Sequence, residues 1–366
     1  MRLRAIGDSD WPRLKDFIAR HFGFSHVPER AFNRHWFSNP FHGGWAAMAL
    51  ERPDGAFAGV MMFIVVPCWL AGRQTRLGWI SNGVVEEDAQ RTGEGAKLYL
   101  WAYRTFPVVG AMSGNDVSGP INALMGEEVP GLRMRRFVRL HDRRAMVMAR
   151  PDQAERLAAM AIQPADAPDD VQAGWRDDIP DDYDPLWHRF RAPLVCTTDR
   201  TSDYFRWRYS APHIGYRFVE VRREGELVGL AVVRLQQSDF GPVCRITELV
   251  TEAGWGGATV RAVAALAAEA GALFSDFMVI GSCMDDALAA GGFLPADPST
   301  GLDAIPHLLA PLEHRQWTNT FFMGGREARR VEGWRSPDAV YFTKGDSDRD
   351  WPTLHDLDRI GFRDAD

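Results

Sequence analysis

Two related segments lie at a constant offset along the chain, and this repeat restricts the fold more than any other feature. The segment from Phe32 to Pro40 resembles the segment from Tyr204 to Pro212 in its aromatic residues, its arginine and its closing proline. Each predicts a short aromatic helix ended by proline, and each precedes two β-rich runs around a polar turn. The chain is therefore predicted to contain two copies of one α+β unit.

The elements after each aromatic segment follow in the same order. The first copy predicts strands at 45–51, 57–66 and 77–85, a helix at 96–105 and a strand at 108–112; the second predicts strands at 216–222, 227–235 and 245–250, a helix at 258–270 and a strand at 274–280. A strand near residues 2–6 and a helix opened by Asp8 come first. A stretch rich in proline and aspartate separates the copies, so we expect domains at 1–150 and 183–366 joined by a linker at 151–182.

Composition excludes several classes of protein. The net charge of the 366-residue chain is −7, and no basic block suggests a nucleic-acid or anionic membrane partner. The four widely spaced cysteines fit no zinc or disulfide pattern and are predicted to be buried thiols. The N-terminus is too charged for a secretory signal, and the apolar run from Val60 to Leu70 is read as a buried strand interrupted by Pro67. We expect a soluble, cytoplasmic protein without membrane insertion.

A glycine-containing turn joins the strand ending at Val84 and Val85 to the helix beginning at Ala96. Glycine lets the backbone approach a ligand closely, and unpaired amides at a helix start attract anions. The spacing matches neither the Walker loop nor the dinucleotide fingerprint. The predicted anion-binding turn comprises Gln90, Arg91, Thr92, Gly93, Glu94, Gly95 and Ala96.

This turn resembles the Gln/Arg-x-x-Gly-x-Gly/Ala signature of the GNAT superfamily of acyl-CoA N-acyltransferases. The resemblance implies two tandem GNAT-like domains, each a mixed, mostly antiparallel sheet flanked by helices. It also implies acetyl-CoA or another acyl-CoA as cofactor, with no metal, and loop amides that hold the coenzyme A pyrophosphate. Val84 and Val85 would lie along the thioester on a bulged strand that splays from its neighbour, and Asn122 is compatible with a cofactor contact.

The corresponding turn of the second copy differs. The stretch from Val250 to Ala258 keeps glycines but lacks the signature, and Trp255 stands where amides would face a diphosphate. We therefore assign coenzyme A to the first half and expect the second half to shape the acceptor pocket or the domain interface. The alternative is a separate anion site at Gly254 to Gly257.

Acyl transfer to an amine needs a base, an oxyanion donor and a route for the leaving thiolate. Glu86 and Glu87 directly follow the strand and are the candidate bases, although acidic residues before a helix also stabilise its positive end. Asn115 and Asp116 could orient the amine or cap the next helix. A backbone amide at Val85 could supply the oxyanion donor, whereas the helix predicted within 117–126 lacks the tyrosine that serves many GNAT enzymes as acid.

The sequence thus predicts an N-acyltransferase, with N-acetyl transfer preferred, acting on a small-molecule amine. The segments Tyr204 to Tyr209 and Tyr341 to Asp348 resemble those of tandem GNAT-like proteins of bacterial cell-surface sugar biosynthesis, which favours an amino sugar or a nucleotide-linked amino sugar as acceptor. The alternatives are transfer to an amino acid or peptide amine, and a non-catalytic acyl-CoA-binding or scaffold protein. A homodimer is left open, and the segment containing Asp346 and Asp350 is read as a solvated tail.

Overall fold

The computed structural model describes residues 1–22, 36, 38–44, 46–112, 118–160, 162, 164, 166–209, 215–309, 312–314, 320–347 and 350. Most of the first aromatic segment, 32–40, lies outside the described residues, as do Asn115 and Asp116. The second aromatic segment is described as far as Tyr209.

Helices and strands alternate along the described chain. The helices are α1 (Trp11–Phe22), α2 (Glu87–Arg91), α3 (Ala96–Thr105), α4 (Ser118–Met125), α5 (Ala154–Ala158), α6 (Tyr183–Arg191), α7 (Ser202–Tyr209), α8 (Gly256–Glu269) and α9 (Asp285–Ala290). The strands are β1 (Arg2–Ala5), β2 (Ala47–Glu51), β3 (Phe57–Leu70), β4 (Arg73–Val85), β5 (Val108–Met112), β6 (Glu127–Arg133), β7 (Arg135–Leu140), β8 (Gln172–Arg176), β9 (Cys196–Thr198), β10 (Tyr216–Arg223), β11 (Glu226–Ser238), β12 (Gly241–Thr251), β13 (Phe274–Ile280), β14 (Leu294–Pro295), β15 (Leu308–Leu309), β16 (Leu312–Glu313), β17 (Thr320–Gly324) and β18 (Val340–Thr343).

One mixed sheet of 16 strands runs through the described structure, flanked by helices. Its main path is β6-β17-β5-β4-β3-β9-β18-β13-β12-β11-β10-β8. We name β1–β6 with β17 the first region, and β7, β8 and β10–β14 the second region. Most neighbouring strands are antiparallel, but β4 pairs with β5, β12 with β13, and β9 with β18 in parallel. Each region thus contains one parallel strand pair, and β9 and β18 join the two regions.

Two strands lie in the region opposite to the one expected from their place in the chain. Strand β17, from the last fifty residues, pairs with both β5 and β6 of the first region. Strand β7, which precedes residue 150, pairs with β13 of the second region over six residues. The sheet thus crosses the predicted boundaries at 150 and 183 in both directions, and the domain ranges themselves stay a prediction.

The parallel strands of the second region separate, and β18 pairs along the edge that this leaves open. Strands β12 and β13 pair from Cys244 to Ile246, after which Val279 and Ile280 of β13 pair with β18. The Tyr341 hydroxyl accepts a hydrogen bond from the Leu249 amide at 3.3 Å and donates one to the Leu249 carbonyl. The chain itself therefore occupies the split between β12 and β13.

Most predicted elements are confirmed, but the interpretation of the segment at Asp346 and Asp350 is wrong. Helix α3 and strands β5 and β13 have the predicted bounds, and the apolar run through Pro67 is a buried strand. The predicted linker contains β8, which pairs with β10. The segment read as a solvated tail is buried at Asp346 and Asp350, because Arg200 and Lys344 pair with these carboxylates inside the protein.

Cys68, Cys196 and Cys244 are buried thiols as predicted, whereas Cys283 is exposed. No helix in the described part of the chain combines the length and the apolar character needed to cross a membrane.

Candidate functional site

The candidate site lies where β4 and β5 part. The two strands pair only from Leu77 to Trp79, although β4 continues to Val85. Over the described residues, no other strand pairs with this edge of β4 beyond Trp79. Unpaired backbone amides and carbonyls along a strand edge can bind an extended ligand. The separation predicted for the motif strand is therefore present.

Strand β4 is bulged just before the site. Its register with β3 shifts between Val60, which faces Val84, and Met62, which faces Ser81, so that Asn82 and Gly83 both lie opposite Met61. Asn82 has a φ of 43°, in the left-handed region that asparagine tolerates better than most residues. A bulge re-aims the following residues of a strand. The predicted bulge thus lies at Asn82 and Gly83.

The backbone of Val85 points toward the opened edge. The Glu86 amide donates to the Ala58 carbonyl at 2.8 Å, and Val84 pairs with Val60 on β3. Because backbone groups alternate in direction along a strand, the amide and carbonyl of Val85 face away from β3. The carbonyl accepts a hydrogen bond from Gln90 Nε2 at 2.5 Å. The Val85 amide, proposed from the sequence as oxyanion donor, is therefore directed toward the opened edge of β4.

A cleft of about 350 Å³ follows the opened edge, which is within the size range of small-molecule sites. It contains the backbone of β4 and of the glycine turn together with side chains from α1, α3 and α4. The lining residues are His21, Val60, Met61, Gly83, Val84, Val85, Gln90, Gly93, Gly95, Ala96, Tyr99, Ser118 and Ile121. Six residues of the predicted cofactor set thus line one cleft, namely Val84, Val85, Gln90, Gly93, Gly95 and Ala96.

Glycine is needed twice in the turn. Gly93 has a φ of 73°, and an added Cβ would meet nothing within 4 Å, so only the backbone conformation demands glycine there. A Cβ on Gly95 would lie 3.2 Å from the Val85 side chain. The Gly93 and Glu94 amides bond to carbonyls of the preceding turn, whereas the Gly95 amide has no partner among the described residues. The amide of Gly95 is thus available to an anion at the start of α3.

The polar side chains of the turn mainly hold its shape. Arg91 pairs with Glu87, and both side chains are largely exposed. The Thr92 hydroxyl bonds to the Asp88 carbonyl, and Glu94 pairs with Lys97, whose hydrogen bond lowers the pKa of the Glu94 carboxyl. None of these four side chains, Arg91, Thr92, Glu94 and Glu87, belongs to the residues that line the cleft.

Of the two candidate bases, Glu86 lies nearer the cleft. Its carboxylate pairs with Arg52 at 2.8 Å, and its Oε1 is 3.8 Å from Nε2 of His21, which lines the cleft from the end of α1. The Glu87 side chain is 77% exposed and is directed to solvent with Arg91. No periodicity or motif in the sequence points to His21, which reaches the cleft through the packing of α1.

A tyrosine also lines the cleft, but it lies on α3 and not on the helix at 118–125, where many GNAT enzymes carry one. Tyr99, on α3, is 7% exposed, and its hydroxyl interacts with the Ser118 side chain at the start of α4. Burial raises the pKa of the Tyr99 phenol, so the hydroxyl is protonated at neutral pH. Tyr99 follows Gly95 by four residues, which is one helical turn, so the two residues lie on the same face of α3. This spacing is the signal in the sequence that points to Tyr99.

Asn122 does not face the cleft. It is 2% exposed, and its Oδ1 accepts a hydrogen bond from Tyr103 at 3.5 Å between α3 and α4. Asn115 and Asp116 lie outside the described residues, so their predicted role stays a prediction.

The glycine turn of the second region lies in a separate cleft of about 520 Å³. Trp255 precedes α8 and packs under the Arg223 guanidinium, 4.5 Å from the ring centroid. The cleft contains charges of both signs, because Arg189, Glu252 and Asp286 line it and Arg189 pairs with Glu252. The Glu252 amide donates a hydrogen bond to the Val228 carbonyl, as the Glu86 amide does to the Ala58 carbonyl. Leu249 therefore corresponds to Gly83, because each lies three residues before its glutamate on the equivalent strand.

No protein-family model and no curated protein matches the chain. Solved structures do resemble it. A GCN5-related N-acetyltransferase from Anabaena variabilis has 10% identity and a TM-score of 0.56, over 88% of this chain and 72% of that one. A conserved protein of unknown function from Enterococcus faecalis, described as a probable N-acyltransferase, has 10% identity and a TM-score of 0.56, over 89% and 73%. N-Myristoyltransferase from Saccharomyces cerevisiae has 12% identity and a TM-score of 0.53, over 93% and 84%.

These likenesses extend over most of the chain, and at such identities they show the fold. The protein therefore has a mixed α/β fold of the GNAT type, as the sequence predicts.

Proposed function

We propose that the protein is an acyl-CoA-dependent N-acyltransferase with its donor site in the cleft between β4 and β5. The observation that carries this proposal is the meeting of a bulged, half-unpaired strand and a glycine turn in one cleft. The open edge from Ile80 to Val85 fits an extended arm with amide groups, and the Gly95 amide with the start of α3 fits a phosphate. The GNAT fold of the solved relatives supports the same reading.

The chemistry proposed is attack of a neutral amine on a thioester carbonyl. The amine must lose a proton, and His21, positioned by the nearby Glu86 carboxylate, is the base that reaches the cleft. The Val85 amide, directed away from β3, donates a hydrogen bond to the carbonyl oxygen as negative charge develops there. The Tyr99 hydroxyl can return a proton to the departing thiolate.

We propose one donor site per chain, because β18 pairs where the second region would otherwise open. The acceptor is proposed to be a small primary amine, and the resemblance of the aromatic segments favours an amino sugar or nucleotide-linked amino sugar. A cytoplasmic location and the domain ranges 1–150 and 183–366 belong to the same proposal. An acyl-CoA-binding protein without turnover is the second candidate, and amine-dependent release of free CoA distinguishes the two.

Calorimetric titration with CoA and acetyl-CoA tests the donor site in the parent, Gly93→Val and Gly254→Val. Both glycines have positive φ and open surroundings, so valine imposes a similar backbone cost of about 1–2 kcal/mol at either position. Only Gly93 lines the proposed site, and we expect its variant to weaken binding at least tenfold while Gly254→Val binds like the parent.

Saturable binding by the parent with a stoichiometry near one supports the proposal. Equal affinity in Gly93→Val and the parent would contradict the assignment of the turn. Loss of binding only in Gly254→Val would move the site to the second region.

A further inference from the structure

One buried arginine holds two carboxylates from different parts of the chain. Arg200 follows β9, Glu248 lies on β12 and Asp346 follows β18, and all three side chains are fully buried. Arg200 Nε donates a hydrogen bond to Glu248 Oε2 at 2.9 Å, and Arg200 Nη2 donates one to Asp346 Oδ2 at 2.5 Å. We name these three residues the Arg200 cluster. When both carboxylates are ionised, one negative charge in the cluster has no partner.

The two carboxylates lie side by side on the guanidinium. Nε and Nη2 point from the same edge of an arginine, the edge that can bind both oxygens of a single carboxylate. Here that edge binds one oxygen of Glu248 and one of Asp346, while Nη1 donates to Thr197 Oγ1 at 2.8 Å. Two carboxylates held this close and away from water do not both stay ionised, so one of them takes up a proton from solvent.

The other groups that face the two carboxylates do not supply a positive charge. Tyr209 donates a hydrogen bond to Glu248 Oε1 at 2.6 Å, and the Thr343 amide donates one to Asp346 Oδ2 at 2.7 Å. The Arg208 guanidinium bonds instead to the backbone carbonyls at positions 345 and 347. The Cys68 thiol stays neutral, because its contact with Cys196 and its burial raise its pKa. Burial likewise raises the pKa of the phenols around the cluster, namely Tyr183, Tyr204, Tyr209 and Tyr341.

The Arg200 cluster attaches β18 and the turn after it to the second region. Arg200 joins β12 through Glu248 and the turn through Asp346, and Tyr341 of β18 bonds to Leu249, the next residue of β12. We propose that the Arg200 cluster is a pH-dependent latch, which holds β18 and this turn in the second split while its two carboxylates share one proton and loosens when the proton leaves. The latch is independent of the proposed donor chemistry.

Loss of the proton lowers stability as the pH rises. Burial raises the pKa of Glu248 from its ordinary 4.5 to about 7, with the Asp346 charge in support and Arg200 in opposition. The folded protein therefore keeps a proton that the unfolded chain has already lost. The equilibrium constant of folding then falls between about pH 5 and about pH 8, by up to about tenfold for each pH unit.

Urea unfolding of the full chain at pH 5 and pH 8.5 tests the latch in the parent, Glu248→Gln, Asp346→Asn and Glu252→Gln. Each of the first two variants leaves Arg200 with a single carboxylate, which can stay ionised. Glu252→Gln is the matched control, because Glu252 follows the same strand but pairs with Arg189 at the protein surface.

The comparison with the parent removes contributions from other groups. Burial lowers the pKa of His141 to about 4 and that of His307 to about 3, so these imidazoles make the protein more stable as the pH rises toward 6.5. All the variants keep both histidines, and the difference from the parent therefore reports on the Arg200 cluster.

Relative to the parent, we expect the folding equilibrium constants of Glu248→Gln and Asp346→Asn to rise by about tenfold or more from pH 5 to pH 8.5. Glu252→Gln should show no such change. Hydrogen exchange corrected for intrinsic rates locates the effect, since the peptide covering 340–347 of the parent should lose more protection with rising pH than the peptide covering 57–64 of β3. Should neither carboxylate variant fold, this exchange in the parent still decides the outcome.

Two results would overturn the latch. One is a difference in stability between Glu248→Gln and the parent that is the same at pH 5 and at pH 8.5. The other is equal protection of 340–347 at both pH values in the parent. Neither result changes the outcome of the CoA titration, so the proposed function is tested separately.

Discussion

Glu86 and Glu87 are neighbours in sequence, yet the structure gives them different surroundings. Glu86 is 27% exposed and lies between Arg52 and His21, whereas Glu87 forms a surface pair one helical turn from Arg91. A surface pair of this kind contributes little to stability. The Glu87 side chain does not line the cleft. The difference arises because the strand ends at Val85 and α2 begins directly after Glu86, which turns the two side chains apart.

We therefore expect Glu86→Gln to lower turnover with a suitable amine by about tenfold or more, because it weakens the positioning of His21. Glu87→Gln is the matched control and should retain the activity of the parent. Initial rates of CoA release across pH 6–9 measure the effect, since a merely structural loss would not alter the shape of the pH profile. The same assay on Tyr99→Phe reports on the proton donor. Equal rates for both glutamate variants would remove Glu86 from the mechanism.

At this scale the sequence predicted the backbone part of the site better than its side chains. The turn at Gly93 and Gly95 could be predicted because it has a local physical cause, namely a positive φ at Gly93 and a close approach to Val85 at Gly95. His21 and Tyr99 could not be ranked, because their place in the cleft depends on how α1 and α3 pack on the sheet. The surroundings of Asn122 depend on the same packing, since helical position alone does not say which face is buried.

Two further glycines, Gly78 and Gly110, lie where β4 and β5 are still paired, and they allow aromatic rings to pack against the backbone. A Cβ on Gly110 of β5 would lie 2.6 Å from the buried Trp79 ring, and a Cβ on Gly78 of β4 would lie 2.9 Å from the Phe106 ring. These rings cover the strands at the point where β4 and β5 are still paired. The glycines thus allow large side chains to pack directly on the backbone where the split begins.

We expect Gly110→Ala to lower the free energy of unfolding by about 1–3 kcal/mol, because Trp79 is 1% exposed and has little room to move. Gly83→Ala, on the adjoining strand, provides the comparison, since its methyl meets only ordinary contacts and should change stability by less than about 1 kcal/mol. Urea unfolding followed by tryptophan fluorescence measures both. A Gly110→Ala protein as stable as the parent would show that the Trp79 packing is loose.

Elements with a strong local pattern were predictable, and short ones that depend on distant partners were not. Helix α3 and strand β5 follow from apolar periodicity and from flanking turn residues. Strands β17 and β18 are only five and four residues long. Phe321 of β17 pairs with Met112, 209 positions earlier, and Val340 of β18 pairs with Cys196, 144 positions earlier. No local signal specifies such pairing, so the exchange between the regions appeared only in the structure.

At the scale of the whole molecule, the two regions are joined by exchanged strands and by buried charge. Arg200 is fully buried and pairs with both Glu248 and Asp346. Burial, with the neighbouring Asp346 charge, raises the pKa of Glu248 to about 7, although Arg200 opposes this shift. Asp346 follows β18 and is fully buried, so the segment directly after β18 lies inside the protein.

A fragment of residues 1–150 should therefore fail to fold cooperatively. It would lack β17 between β5 and β6, and its β7 would have no β13 to pair with. Circular dichroism during thermal unfolding of the fragment measures this, and coexpression with residues 151–366 is the control that should restore a cooperative transition and CoA binding. A cooperative transition of the fragment alone would instead show that the first region is an independent domain.

The pairing of β18 in the second split has a consequence for how the protein responds to its donor. Tyr341 satisfies the Leu249 backbone with a group that is part of the same chain, at an effective concentration that a dissolved thioester does not reach. If a protein has two similar donor sites whose affinities are coupled, its rate can depend on the donor concentration in a sigmoidal way. With the one donor site per chain that we propose, the rate is expected to rise hyperbolically with the acyl-CoA concentration, without a threshold.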